Sequence, residues 1–311
     1  MENEQRFQQF DLHGHTGERW RLTTSMFEGL AKMSVEKATE IAKKLKLDGL
    51  AFTPHDNPFG RKSNDKNTFK TEIRALYDAL DAGAKHGIIV VPGWEITALG
   101  WPHGKRWWNM PHILALGIDP DILEKSQTKL PTAQWGDLSK AGPKNPNGTI
   151  IDVIDWIHDN GGVAIAAHPD ETTGKLPRIK LTNQQVEEVG KKFDGIETLT
   201  LHGFNEPMKK FAEENDIAQI GSSDFHFPSQ IGLVRTQIFQ NCKTWQDVLE
   251  AIKNKQTMPF IYQNLPIDEL RKHDLQGSRR DFLNERKNRR KEERYQSYYP
   301  NYLPEHLLIS E

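Results

Sequence analysis

Close to its start the chain reads Asp11-Leu12-His13-Gly14-His15-Thr16, at the end of an apolar run, Phe7 to Leu12, that reads as a β-strand. Residues i and i+2 of a strand share a face, so His13 and His15 can aim both imidazoles at one point. Such a strand end builds half a metal site. Moving outward, blocks of the same kind recur at Thr53-Pro54-His55-Asp56, Gly93-Trp94-Glu95, Ala167-His168-Pro169 and Ser223-Asp224-Phe225-His226. Most of them also close a short apolar run, and Asp224 and His226 repeat the i, i+2 spacing. Imidazole and carboxylate ligands suit zinc, manganese or iron. Two or three such ions joined by a bridging carboxylate form a hydrolytic centre for phosphate esters.

Between the blocks, strand and helix patterns alternate. A helix over Val35 to Leu47 has Ser34 as its N-cap. Strands follow at Leu50 to Thr53 and Ile88 to Val91, with a helix over Thr71 to Lys85 between them. Then come the apolar run Ile113 to Gly117, a helix over Ile150 to His158, a strand at Val163 to Ala167 and a helix over Gln184 to Lys192. Ile196 to Leu199, a helix near Met208 to Glu214 and Ile217 to Ile220 complete the alternation. Leu233 to Phe239 and a helix over Trp245 to Lys253 come after the last block. This order predicts an α/β fold with parallel strands. Ligands from the first, second, third, middle and last strands meet at one centre only if the sheet closes, so a barrel is expected, with the site at the carboxyl ends of its strands. His112 precedes its apolar run. It joins that rim only if the chain turns back after Glu95 and descends from His112.

With 311 residues and 36% hydrophobic content, the chain is long enough for one large core. We expect one barrel domain over 1–263 and a basic C-terminal extension over 264–311, helical or disordered. The only cysteine, Cys242, allows neither an intramolecular disulfide nor a thiolate zinc cluster, which fits a reducing cytoplasm. Met1 to Gln9 lacks the apolar stretch of a signal peptide, and no segment approaches the ~20 apolar residues of a membrane span. Net charge is −2, yet Arg271 to Arg294 holds ten Lys/Arg against five Asp/Glu. That run reads either as a solvated charged helix or as an arm for nucleic acid.

The ordered blocks resemble the PHP family, the polymerase and histidinol phosphatase superfamily of metal-dependent phosphoesterases, over roughly residues 7 to 240. The family's Asp-Leu-His-x-His-Thr stands here as Asp11 to Thr16, its Thr-Asp-His as Thr53-Pro54-His55, and its Gly-x-Glu as Gly93-Trp94-Glu95. Its Ala-His-Pro is Ala167-His168-Pro169, and its Gly-Ser-Asp-x-His looks like Ser222 to His226. The resemblance implies a distorted (β/α)7 barrel holding two or three divalent ions. His13, His15, Glu95 and Asp224 would hold the first ion, Glu95, His112 and His168 the second, and His55 with His226 the third. The family's Ser-Asp-Gly, which completes the third site, has no exact counterpart, and Glu28 in Phe27-Glu28-Gly29 is its candidate. Pro54 stands where the family has Asp, removing a carboxylate that would orient a ligating imidazole.

The expected reaction is hydrolysis of a phosphate ester by hydroxide held between two ions, with Glu95 and Asp224 central to catalysis. His202 and His103 are candidates to assist the leaving group. Arg19, Arg21, Arg61, Lys62 and Arg106 follow ligand blocks and are candidates for phosphate binding. Trp107, in the segment Trp101 to Trp108 with its three tryptophans, is a candidate to stack a base. A nucleic acid or nucleotide is the expected substrate. The alternatives are a small phosphomonoester, as in a histidinol phosphatase, and a non-catalytic nucleic-acid-binding module of the same family. An amidohydrolase would also open its barrel with His-x-His, but it needs a bridging carboxylated lysine where this chain has Glu95.

Overall fold

A computed structural model describes residues 7–15, 34–55, 66–98, 111–126, 149–169, 189–201, 203–262 and 308–309. Strands β1 (Gln8–Asp11), β2 (Gly49–Phe52) and β3 (Ile89–Thr97) pair in parallel. Helix α1 (Val35–Lys44) precedes β2 and α2 (Lys66–His86) precedes β3. The Ser34 hydroxyl accepts from Lys37 N, which satisfies one of the amides that every helix start leaves without a partner. Strand β4 (His112–Leu116) pairs antiparallel with β3, placing Thr97 opposite His112, so the chain does turn back after Glu95. Helices α3 (Pro120–Ser126) and α4 (Ile150–Asp159) come next, the second opened by a Thr149/Asp152 capping box. Strand β5 (Val163–Ala166) pairs antiparallel with β4 and parallel with β6 (Gly195–Thr200). A short β7 (Gly203–Phe204) and helix α5 (Glu206–Glu214) lead to β8 (Ala218–Gly221), parallel to β6.

The ring closes at its carboxyl-end rim. Beyond β1 and β8 the chain pairs once more, Gly14 with Phe225, and His15 N donates to Phe225 O at 2.7 Å. Seven strands therefore complete the circuit: β1, β2, β3, β4, β5, β6 and β8. Gly14 makes this approach possible, because a β-carbon there would sit 2.0 Å from the Phe225 ring.

Below the rim β1 and β8 separate; β9 (Val234–Ile238) pairs antiparallel with β1 and with β10 (Thr257–Tyr262), and this β9–β10 pair packs against β8. Between β8 and β9 side-chain hydroxyls stand in for ladder bonds. Thr236 Oγ1 accepts from Gly221 N and donates to Gly221 O, and Ser223 Oγ does the same for Val234. The Asp11 carboxylate accepts from Ser223 N at 2.9 Å and Gly232 N at 2.8 Å, tying β1 to both sides of the split.

Strand alternation divides the apolar residues into two cores. Ala51, Val91, Leu114, Leu116, Val163, Ile165, Ala218 and Ile220 fill the barrel together with Val248, Leu249, Ala251 and Ile252 of helix α6 (Trp245–Lys253). Leu50, Phe52, Val90, Ile96, Ala164 and Ile196 face outward and pack under the helices. Glu95, His112 and Glu197 continue the inward series of β3, β4 and β6, which is why these polar groups arrive above an apolar barrel floor.

The helix expected over Gln184 to Lys192 falls largely outside the described residues. Of the extension beyond 263, only β11 (Leu308–Ile309) is described, pairing in parallel with Ile261 and Tyr262 of β10. Among the described residues no helix is long and apolar enough to cross a membrane.

Candidate metal centre

Eight side chains expected as ligands converge at the rim: His13, His15, His55, Glu95, His112, His168, Asp224 and His226. Their ligand atoms fall into four overlapping groups, each with all its atoms within 4.8 Å: His13/His15/Asp224, His13/Glu95/His168, His55/Glu95/His112 and His15/His55/His226. Glu95 is central and fully buried. Its Oε1 faces His112 Nδ1 at 2.6 Å and His168 Nε2 at 3.2 Å. Its Oε2 faces His55 Nδ1 at 2.6 Å, His15 Nε2 at 3.4 Å and His13 Nε2 at 3.6 Å. Asp224 Oδ1 closes the other side, 2.9 Å from His15 Nε2 and 3.4 Å from His13 Nε2. His55 thus sits closer to Glu95 than its expected pairing with His226 alone implies.

The blocks reach the rim by different local routes. Past Asp11 the regular strand ends, and Gly14 turns outward against Phe225 while His13 and His15 turn together toward the centre, their Nε2 atoms 3.1 Å apart. His55, past the end of β2, pairs with Glu95 inside β3. Asp224 and His226 do not share a strand face as expected. β8 has ended at Gly221, Asp224 takes the left-handed conformation at φ 47°, and His226 Nδ1 bonds to Asp224 O at 2.9 Å. His168 is similarly placed at φ 31°, just past β5. Such backbone is costly for a residue with a β-carbon, and it gathers where a site demands it.

Electrostatically the cluster sets buried carboxylates against facing imidazoles. Burial alone would raise Glu95, but the facing His55, His112 and His13 outweigh it and hold the carboxyl well below its ordinary range. Asp224 is held low in the same way, burial being outweighed by His13, His226 and His15. Burial lowers His15, and repulsion from His226 and His55 adds to this, whereas His13 is raised despite burial by Asp224, Glu197 and Glu95.

Glu95 Oε2, His112 Nδ1, Asp224 Oδ1 and His15 Nδ1 are buried without a hydrogen bond, although the first three have neighbours within 2.6–3.4 Å. These contacts lack hydrogen-bond direction. Each such atom costs about 1–3 kcal/mol, so four in one cluster are unusual in a site meant to be satisfied by protein alone. Nitrogen and carboxylate donors converging in this way fit divalent cations.

Glu28, His103, His202, Arg19, Arg21, Arg61, Lys62, Arg106 and Trp107 lie outside the described residues. Two carboxylates that the sequence reading left without a role take part in the architecture. Asp11 holds the split beside the site, its carboxyl raised by burial to about 7 against the pull of its two amide bonds. Glu197, almost fully buried, accepts from His13 Nδ1. A charged residue inside the apolar run Gly195–Thr200 was the available signal for Glu197, since burial of a carboxylate needs a reason.

A family model and several solved structures are similar to this chain. Residues 202–257 match the family described as PHP-associated, a stretch that contains the last ligand block. A two-domain protein from Bacteroides vulgatus, described as containing a predicted PHP-like metal-dependent phosphoesterase, shares the fold with a TM-score of 0.55 at 18% identity, over 83% of this chain and 65% of that one. An amidohydrolase from Chromobacterium violaceum, solved with bound sulfate and no metal, gives 0.49 at 18% identity over 78% of this chain and 96% of its own. PsfC from Pseudomonas syringae gives 0.49 at 18% over 83% and 92%. No curated protein matches the chain. The seven-stranded barrel is the fold shared with the Bacteroides vulgatus protein, and the segment similar to the PHP-associated family carries the last of the ordered ligand blocks.

Proposed function

We propose that the chain is a metal-dependent phosphoesterase that holds two or three divalent ions, zinc, manganese or iron, at the barrel rim. The observation that carries this reading is the division of Glu95, whose two oxygens face two different sets of imidazoles. A carboxylate so placed is built to bridge. His13, His15 and Asp224 with Glu95 Oε2 would hold one ion, Glu95 Oε1 with His112 and His168 a second, and His55 with His226 the third. What such ions supply, once bound, is a lower pKa for water, from about 15.7 toward about 7, and neutralisation of phosphoryl charge.

The protein's own residues set the direction of approach. Glu95 and His13 are fully buried, while His112, His226 and His55 are 27%, 25% and 22% exposed, so the ester arrives across these three imidazoles and the carboxylates form the floor. The apolar barrel below keeps water from entering through the base. Glu95 and Asp224 hold the negative charge that draws cations in. The basic run Arg271 to Arg294 and the tryptophans between Trp101 and Trp108 support a nucleic acid or nucleotide as the ester, and the lone cysteine supports a reducing cytoplasm as its setting.

Elemental analysis of the purified protein, followed by turnover of labelled single-stranded DNA and RNA, nucleoside monophosphates and histidinol phosphate, tests the proposal. We expect bound metal and phosphate-ester cleavage that chelation removes. Metal-replete protein inert on every one of these esters overturns the phosphoesterase reading, and cleavage of histidinol phosphate alone overturns the nucleic-acid preference.

A further inference from the structure

We infer that Glu197 is a positioning residue that sets which nitrogen of His13 is presented to the cluster, and that ties this choice to the placement of His168. The inference rests on the functional reading above, because it treats both histidines as ligands. Glu197 lies mid-strand on β6, between Ile196 and Thr198, and is 1% exposed. Strand alternation turns it inward, one layer back from the rim. Its carboxylate makes three bonds to protein. Oε1 accepts from His13 Nδ1 at 2.8 Å and from the Ser222 hydroxyl, and Oε2 accepts from His168 N at 2.5 Å.

These bonds have a chemical consequence for His13. An ionised carboxylate only accepts, so the ring nitrogen facing it must carry the proton. A neutral imidazole with Nδ1–H presents the lone pair of Nε2, and Nε2 is the atom facing His15, Asp224 and Glu95. The opposite tautomer would point a hydrogen into the place where a ligand lone pair is needed. Carboxylates behind ligating histidines act in this way elsewhere.

The second oxygen reaches another element. His168 N belongs to a residue at φ 31°, and bonding to Glu197 helps hold that left-handed turn. One carboxylate on β6 therefore fixes a ligand after β1 and a ligand after β5, while Ser222 links it to the segment that delivers Asp224. Pro54 stands where a carboxylate beside His55 was expected. No such loss affects His13, whose supporting carboxylate comes from a different strand.

Glu197→Gln probes this directly. The amide keeps the size of the side chain but has one acceptor oxygen for two donors on opposite sides, His13 Nδ1–H and His168 N–H. With its oxygen toward His168, the amide N–H₂ faces His13 and drives the ring to carry its proton on Nε2. Nitrogen NMR of histidine-labelled, chelated protein, recorded at a pH alkaline enough for the His13 ring to be neutral, reads its tautomer without any metal, and calorimetric titration with zinc or manganese reads affinity.

We expect the unsubstituted protein to hold His13 protonated on Nδ1, and Glu197→Gln to shift it toward Nε2–H and weaken binding of either metal by about 10- to 100-fold. Ser222→Ala, which removes one donor and leaves the carboxylate, should keep the original tautomer. A Glu197→Gln protein with a lower melting temperature but an unchanged tautomer and unchanged metal affinity overturns the inference, assigning Glu197 to fold stability alone. If the unsubstituted protein takes up neither metal, the functional reading falls and the ligand role inferred for His13 falls with it. Normal uptake beside an unaltered Glu197→Gln protein overturns only the role of Glu197.

Discussion

The rim of the barrel and the split just below it both bury polar groups, and they treat them in opposite ways. In the split, Asp11 accepts two amides, Thr236 and Ser223 each donate and accept, and fully buried Arg235 donates to Gly232 O at 2.8 Å and to Gln9 while lying 3.7 Å over the Tyr262 ring. Every one of these groups is matched by protein. At the rim, Glu95, Asp224, His15 and His112 carry buried atoms with no hydrogen bond. Matched polarity joins strands that cannot form a ladder. Unmatched polarity is a site that awaits a ligand, because the desolvation cost of these atoms is recovered only when a cation arrives.

Substitutions can separate the two. The largest expected effect is at the rim. Glu95→Gln should lower phosphate-ester turnover by about 10³-fold, equivalent to ~4 kcal/mol of barrier, while the chelated protein melts no lower than the unsubstituted one. Added metal at about a hundredfold its Kd should stabilise the unsubstituted protein by ~2.7 kcal/mol, and Glu95→Gln should lose most of that gain. A steep fall in the melting temperature of chelated Glu95→Gln would erase the contrast.

Next comes the split. Asp11→Ala strands the Ser223 and Gly232 amides in a buried place and should cost about 3 kcal/mol, read by denaturant titration, with faster hydrogen exchange at both amides. Thr236→Val keeps the shape and deletes the two bonds to Gly221, for about 1–2 kcal/mol.

The smallest effect belongs to the outer face, which serves as a reference for both regions. Glu40, flanked by Lys44 and Lys37, has its carboxyl lowered to about 2 by hydrogen bonds to those lysines. A depressed acid contributes stability above its unfolded value, and the contribution is lost as pH falls from about 4.5 toward 2. Because the pair is solvent-screened, Glu40→Gln should cost only about 0.3–0.5 kcal/mol at neutral pH, seen as a small shift in melting temperature that vanishes below about pH 2.

The convergence of these side chains was legible because strong metal-binding residue types stand at the ends of apolar runs. His13, Glu95, His168 and Asp224 were expected at the rim from that pattern, and His112 from the family resemblance on the condition that the chain turn back after Glu95; the structure brings all five together. Glu197 and Asp11 were not assigned roles. Each is a single carboxylate whose partner lies far away in sequence, His13 being 184 positions from Glu197 and Ser223 being 212 from Asp11, and spacing says nothing about such pairs. Asp224 and His226 were placed at the rim correctly but by the wrong route, since two-residue spacing suggests a strand and cannot reveal a left-handed turn.

By itself the sequence determined the alternation of strands and helices, the capped start of α1, and the metal-binding residue types gathered at strand ends. These follow from side-chain periodicity and local hydrogen bonding, which act over a few residues. Only the tertiary structure decided that Gly14 meets Phe225 to close the ring, that hydroxyls rather than backbone bridge β8 and β9, and that the two oxygens of Glu95 face different imidazoles. Each depends on strands distant along the chain being brought within ångströms of one another, and packing and ring closure fix that proximity where local preference cannot.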